Sequence, residues 1–308
     1  MMNVSTDEGI GPRAVVAGDV ISVEGLRKSY GPTVAVADVS FSVTRGEIFG
    51  LLGPNGAGKT TTVECVQGLR RAGGGHIRVL GLDPIHQARE LRPRIGCQLQ
   101  ESALPARLRV WEALDLFASL APRQVDWRVL MEQWGLAGKE RAAFSNLSGG
   151  QRQRLLVALA LVSDPEVVFL DEMTTGLDPA ARRVAWELIR AIRERGTTVV
   201  LVTHFMDEAE RLCDRVGVVN AGRVVALDTP QRLVNTYAPE IRVVFHTDEP
   251  ELPRLEDLPC VRVVTRLGRR VEVEGIDPVL ALVSAGLVEH GITRSTCASS
   301  SRPWRTCS

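Results

Sequence analysis

Between Gly50 and Thr61 the chain reads GLLGPNGAGKTT, and Gly53, Gly58, Lys59 and Thr60 satisfy the spacing G-x-x-x-x-G-K-[ST]. Residue types in that order bind phosphate. The stretch Gly53, Pro54, Asn55, Gly56, Ala57 and Gly58 lets the backbone curl so that successive N–H groups, through Thr61, point inward as an anion nest. The N-terminus of a following helix adds partial positive charge. Lys59 reaches β- and γ-phosphates, and the Thr60 hydroxyl is a ligand for Mg²⁺. A Gly-rich turn before a helix is the plainer alternative. The context speaks against it, because an apolar run, Ile48 to Leu52, precedes the loop and a helix-compatible segment, Thr60 to Leu69, follows.

A second chemical element lies far downstream. Val167-Val168-Phe169-Leu170 delivers Asp171 and Glu172 at a strand's end. In phosphoryl transfer the first acid can hold the metal and the second can polarise an attacking water; the alternative is a buried strand ending in solvated acids. A third element, Leu147-Ser148-Gly149-Gly150-Gln151, opens an amphipathic helix over Gln151 to Val162. A Ser followed by two glycines can offer both a helix cap and free N–H groups.

The elements that must position these groups read as an α/β core. Val20 to Leu26 and Ser40 to Val43 read as strands separated by a loop holding Tyr30 and Gly31, then His76 to Leu80 and Arg94 to Leu99, the last ending at Gln100. Helical periodicity runs from Val110 to Trp134 with a break at Pro122. The continuous apolar character of Val167 to Leu170 suits a buried parallel strand. Ala180 to Glu194 and Met206 to Cys213 read as helices around a strand at Thr197 to Thr203. Val216 to Val219 and Arg223 to Leu227 pair around the turn Asn220-Ala221-Gly222. Near Ala238-Pro239 the pattern changes to half-buried strands at Ile241 to His246, Val261 to Thr265 and Val271 to Glu274, with a helix from Pro278.

Bulk properties narrow the function classes. The 308 residues carry 37 basic and 37 acidic side chains, so no charge excess points to nucleic acid as a partner. Of the basic residues only Lys28, Lys59 and Lys139 are lysines, which makes a Lys inside the phosphate loop a chemical choice for a compact point charge. No apolar run approaches the roughly 18–20 residues of a membrane helix, and Met1 to Gly18 lacks the apolar segment of a signal peptide. Six scattered cysteines without CxxC spacing favour a reduced cytosolic setting without disulfides or a metal cage.

Together these pieces resemble an ATP-binding cassette ATPase over about Val20 to Val234, and LSGGQ at Leu147 to Gln151 is identical to that family's signature. The resemblance implies a phosphate-loop NTPase cassette, residues 20–236, with a helical arm at about 101–146. A flexible tail at 1–19 precedes it and a small α+β accessory domain at 240–292 follows. It assigns Tyr30 to stacking on adenine, Gln100 to a loop that senses Mg²⁺ and the membrane partner, and Asp171 to the metal. It makes Glu172 the catalytic base, Asp178 the acid of a dimer-crossing loop, and His204 a switch on the γ-phosphate. It further implies that Ser148, Gly149, Gly150 and Gln151 face the phosphate loop of a second copy, giving a homodimer with two ATP molecules between subunits. A departure is Met173, where the family usually has Pro; losing the fixed φ is expected to loosen the segment leading to Asp178 and slow turnover.

Without a membrane span, a transport role requires a separate multi-span permease and a peripheral place on the cytoplasmic face of the membrane. Leu82-Asp83-Pro84 and THFMDEAERLCDRV from Thr203 resemble ABC-2 drug-resistance exporters of the daunorubicin type, although lipid, polysaccharide and haem exporters use similar subunits. A soluble cassette protein acting on ribosomes or DNA, and the ATPase of a nutrient importer, are the alternatives. The final stretch, Thr293 to Ser308, reads as a disordered terminus. A second reading is a frameshift beginning near Arg294. With suitable synonymous codons, Ser295 to Ser308 read one nucleotide out of phase becomes DLRVEQPTLEDVF, which resembles the usual close of this exporter family. Sequencing the DNA there decides between the two.

Overall fold

Three short runs are buried at every position: Ile48–Leu52, Val167–Asp171 and Thr198–Thr203. Apolar runs without alternation cannot form a half-wetted sheet face; they need cover on both sides, as parallel strands have in an α/β layer. The computed structural model, which describes residues 18–98, 104–121, 126–237, 241–249, 255–258, 260–275, 278–289 and 297–301, builds that layer.

In chain order, β1 (Asp19–Tyr30) and β2 (Thr33–Thr44) form a hairpin, followed by β3 (Ile48–Leu52), α1 (Lys59–Val66), β4 (Gly74–Val79), α2 (Ala88–Leu91) and β5 (Ile95–Gln98). The arm contributes α3 (Val110–Leu120) and α4 (Trp127–Gln133), and the chain returns through α5 (Gly149–Leu161) to β6 (Val167–Asp171). Then come α6 (Pro179–Glu194), β7 (Thr198–Thr203), α7 (Met206–Leu212), β8 (Arg215–Asn220) and β9 (Arg223–Asp228). Among the described residues these strands make one nine-stranded sheet in the order β4-β1-β2-β9-β8-β3-β7-β6-β5. The run β8-β3-β7-β6-β5 is parallel, whereas β1 pairs antiparallel with β2 and β4. Phe49 stacks on Phe41 with ring centroids 5.1 Å apart, and both join Val63, Phe169 and Val202 in the core under α1.

Several boundaries differ from the sequence reading, β2 most in length because it starts at Thr33 and not Ser40, and two bear on the site. β1 continues through Lys28, Ser29 and Tyr30, paired with Val36, Val34 and Thr33, so Tyr30 ends a strand and does not lie in a loop. Backbone pairing with β2 sustains these residues where side-chain alternation has stopped. Helix α5 starts at Gly149, two residues early, because Ser148 caps it. In the arm, Trp127 and Trp134 are buried core residues, and the Trp127 indole donates to Asp115 Oδ1 at 3.1 Å. Pro122 lies outside the described residues.

One compact unit ends at Pro230 and a second begins at Gln231. The second holds most of α8 (Pro230–Tyr237), then β10 (Ile241–His246), β11 (Val261–Leu267), β12 (Arg270–Gly275), α9 (Val279–Glu289) and β13 (Cys297–Ser301). Its antiparallel sheet, ordered β11-β12-β10-β13, turns Val243, Phe245, Val271 and Val273 towards Val279, Val283 and Leu287 of α9. The expectation of a structureless tail is corrected for Cys297–Ser301, which pair with β10 from Phe245↔Cys297 to Ile241↔Ser301. A strand edge recruits backbone N–H and C=O groups whatever the side chains, so CASSS carries no periodic sign of it. Among the described residues no helix is long and apolar enough to cross a membrane.

Glu166, just before β6, accepts from Arg94 Nε at 2.6 Å and from Arg45 at 3.0 Å, tying β5 and the β2–β3 turn to the sheet's lower rim. The Arg94 hydrogen bond holds its carboxyl below the ordinary value of 4.5. A depressed carboxyl adds stability above the unfolded pKa and loses it as pH falls through the folded one. Because Glu166 is 37% exposed, the contribution is that of a solvent-screened pair, about 0.5–1 kcal/mol. Glu166→Gln therefore lowers urea stability by that amount at pH 7, and the gap to the parent closes below the ordinary value of 4.5.

Candidate functional site

The phosphate-loop sequence leaves the sheet at Leu52 and enters α1 at Lys59, and tight packing holds it between. Gly58 has φ 97°, and a Cβ there would sit 2.3 Å from the Ala35 carbonyl oxygen. A Cβ on Gly53 would lie 2.1 Å from the Val219 carbonyl oxygen. The loop is therefore pressed between β2 and the end of β8 with no room for a side chain at either point. Gly222, at the β8–β9 tip, donates its N–H to the Ala57 carbonyl at 2.9 Å, and its own carbonyl accepts from Ala37 and Asp38 N–H at 2.8 and 3.1 Å. Sequence reasoning recognised Asn220-Ala221-Gly222 as a turn and missed that it braces the loop. Pro54, Asn55 and Gly56 remain exposed, and Thr61 is half-buried. Gly58 supplies no side-chain acceptor to α1, whose first turn also carries no acid, so no side chain of the helix start competes with an anion for its first N–H groups.

Lys59 is buried, and its Nζ donates to the carbonyls of Gly53 at 2.8 Å and Pro54 at 3.0 Å. Burial lowers its pKa, while the charges of Glu172 and Asp171 push it back up. Asp171, the last residue of β6, is 3% exposed, and the Thr60 hydroxyl nearby favours its charged form. Its carboxyl is pushed up to about 6, first by burial and then by repulsion from Glu172, against the pull of Thr60 and Lys59. Its Oδ1 is buried without a hydrogen bond. A desolvated carboxyl oxygen beside a hydroxyl is costly unless a cation meets it, and this oxygen set suits Mg²⁺, which keeps waters and phosphate oxygens in its shell. Among the described residues no three His, Cys, Asp or Glu side chains form a protein-only cage.

Glu172 adopts φ 48°, uncommon for a residue with a side chain. Its N–H donates to the Val202 carbonyl of β7 at 2.9 Å, which keeps it in that strained conformation. The turn aims Oε1 at His204 Nδ1, 3.1 Å away, across the gap between the ends of β6 and β7. With Glu172 ionised, the carboxylate can only accept, which assigns the proton to Nδ1. Lys59, Thr60, Asp171, Glu172 and His204, drawn from three places in the chain, thus form one cluster.

The remaining candidates stand elsewhere. Tyr30 is 42% exposed at the end of β1, flanked by Lys28 Nζ and the Arg70 guanidinium at 5.3 and 5.6 Å from its ring centroid. Ser148 and Gln151 close a capping box on each other at 3.0 and 3.3 Å, and Ser148 and Gly149 are exposed. Gly150 is half-buried beside them. Asp178 caps α6, its Oδ1 accepting from Ala180 and Ala181 N–H, both at 2.9 Å. Gln100 lies outside the described residues. Met173 is buried, and the turn to Asp178 is tied by Thr175 N–H to Glu172 O and Leu177 N–H to Thr174 O at 3.1 and 3.2 Å.

A sheet with a parallel core, a glycine loop after β3 and a carboxylate pair at the end of β6 defines a phosphate-loop nucleotide triphosphatase. The chain belongs to the ABC transporter family, as an ATP-binding subunit of the class that couples ATP hydrolysis to transport. The ABC transporter family model matches residues 36–175. The chain is 41% identical over 262 residues to the Nod factor export ATP-binding protein I of Ralstonia nicotianae, covering 83% of this chain and 79% of that protein. It is 40% identical to the protein of the same name from Rhizobium meliloti, covering 86% and 78%. Among solved structures, an ATP-binding subunit of an ABC transporter superposes with a TM-score of 0.65 at 27% identity, over 71% of this chain and 93% of that one. The cbiO1 protein from Clostridium perfringens, part of the ABC transporter complex cbiONQ, gives 0.63 at 26% identity, over 72% and 97%.

Gly58→Ala is expected to weaken ATP binding more than tenfold, because the methyl group would need φ 97° and would meet Ala35 O at 2.3 Å. Fluorescent-nucleotide titration reads the loss, and an unchanged far-UV spectrum separates it from unfolding.

Proposed function

We propose that this chain powers an exporter, working as a homodimer that binds two ATP molecules with Mg²⁺ between its copies. The cluster Lys59–Thr60–Asp171–Glu172–His204 carries the reading: phosphate donors, a metal-suited oxygen pair and an oriented carboxylate meet beyond the carboxyl ends of β3, β6 and β7. Lys59 and the α1 N-terminus bind the phosphates, while the Tyr30 ring stacks on adenine. Thr60 and Asp171 hold Mg²⁺, with Gln100 as a further ligand, and the metal when bound screens phosphate charge. Glu172 accepts the proton of the attacking water, and His204 orients it through the Nδ1–Oε1 contact and senses the γ-phosphate.

Ser148, Gly149, Gly150 and Gln151 complete the site of the opposite copy. Support comes from the exposed, self-capped start of α5, whose N-terminus presents donors outward. Asp178 crosses between copies from the cap of α6. Export is supported by the names of the relatives at 40 and 41% identity. The path across the bilayer belongs to a separate multi-span membrane subunit, docked on the arm at about 101–146, with this chain peripheral on the cytoplasmic face. We assign a drug-like or other hydrophobic cargo, with antibiotic resistance as one use; cargo-stimulated ATPase activity of the complex with its membrane subunit tests that.

Glu172→Gln is expected to lower hydrolysis at least about 100-fold, the scale of general-base catalysis, while ATP still drives dimerisation. Ser148→Arg is expected to be inactive for a different reason. Mixing the two restores hydrolysis, because one of the two sites in the mixed dimer then pairs an intact Glu172 with an intact Ser148 from the other copy. Normal hydrolysis by Glu172→Gln would remove the base assignment, and failure of the mixture to recover would remove the shared site.

A further inference from the structure

Behind the Glu172–His204 pair lies a buried polar group that the reaction itself does not use. Glu208, on α7, has 0% exposure. Its Oε1 accepts from the Trp186 indole N–H of α6 at 3.1 Å. The hydroxyls of Thr203 and Thr174 also face the carboxyl and favour its charged form, as does Arg182, while burial opposes it. Only the Trp186 contact has regular hydrogen-bond geometry, and Oε2 remains buried without one. A carboxyl in such a place is expensive; an apolar side chain would fill the space at less cost.

What the carboxyl joins is informative. Thr203 is the last residue of β7 and directly precedes His204; its Oγ1 accepts the Phe205 N–H at 3.0 Å. Thr174 is fully buried in the turn after Glu172. Trp186 and Arg182 stand on α6, the helix capped by Asp178, and the Arg182 guanidinium lies 4.4 Å over the Phe205 ring. Phe205 in turn packs on the His204 ring, centroids 4.1 Å apart. The Trp186 hydrogen bond thus ties Glu208 to the helix that begins at Asp178, the Arg182–Phe205–His204 contacts carry that helix on to the histidine, and Thr174, two residues after the base, faces the same carboxyl.

We propose that Glu208 is a positioning residue that locks the Glu172–His204 pair to helix α6, so that a displacement of the Asp178 end of α6 reaches the base. This rests on the reading of Glu172 as the base, which the Glu172→Gln experiment tests by itself.

The decisive comparison is steady-state ATPase kinetics of Glu208→Leu, Glu208→Gln and Trp186→Phe. Glu208→Leu is expected to lower kcat about 10- to 100-fold, the scale of a misplaced catalytic group. KM for ATP should stay within about threefold, because the Lys59 site is untouched. Glu208→Gln, which keeps an acceptor for Trp186, recovers most of kcat. Trp186→Phe removes only the donor and lowers kcat with KM unchanged, and it serves if Glu208→Leu does not fold. On kcat, Glu208→Leu and Asp178→Ala are expected to combine less than multiplicatively. A wild-type kcat in both Glu208→Leu and Trp186→Phe would overturn the proposal. So would a parallel loss of ATP affinity and thermal stability that Gln does not rescue, or strictly multiplicative effects with Asp178→Ala.

Discussion

Leu52 pairs with Thr203, and Asp171 pairs with Val202. On that parallel register the rest of the site depends. It makes three strands end at one level, so the residues that follow, Gly53, Glu172 and His204, leave the sheet side by side. Parallel pairing is slanted and needs long crossovers, which is why the three groups lie so far apart in sequence and still meet. A one-residue slip of β6 would move Asp171 off its place beside Thr60 and turn alternate side chains to the other face. The complete burial of β3, β6 and β7 is what forbids such a slip.

The site is built from unfavourable placements that the scaffold tolerates. Asp171 keeps a carboxyl oxygen without a partner, Lys59 is held under carbonyls, and Glu172 holds a left-handed backbone. Each is costly alone. Each is over-determined by neighbours: the Val202 carbonyl fixes Glu172, Thr60 engages Asp171, and the Gly222 turn presses on Ala57. Glycine at 53, 58 and 222 allows backbone to approach backbone where any Cβ would collide. The phosphate loop is thus shaped by strands on both sides of it as much as by its own sequence.

The start of α5 follows a different logic. Ser148 and Gln151 satisfy each other, and Arg152 fastens the preceding turn by donating to the Phe144 and Ser145 carbonyls at 3.2 and 2.7 Å. This segment is rigid and outward-facing at once. A helix terminus so prepared suits recognition of an anion held on another surface.

By itself the sequence determined the class of chemistry. GPNGAGKTT, the Asp171-Glu172 pair and LSGGQ are local patterns whose function lies in backbone shape and residue type, so spacing alone identifies them. The α/β core was equally legible, because unbroken apolar runs such as VVFL admit few environments. Tertiary structure alone decided what depends on contacts across the chain. No periodicity marks Gly222 as the brace of Ala57, Glu208 as a neighbour of Trp186, Tyr30 as a strand end, or Cys297–Ser301 as a partner of β10. These depend on which strand lies beside which, and strand order is set by long-range packing that a window of sequence does not contain.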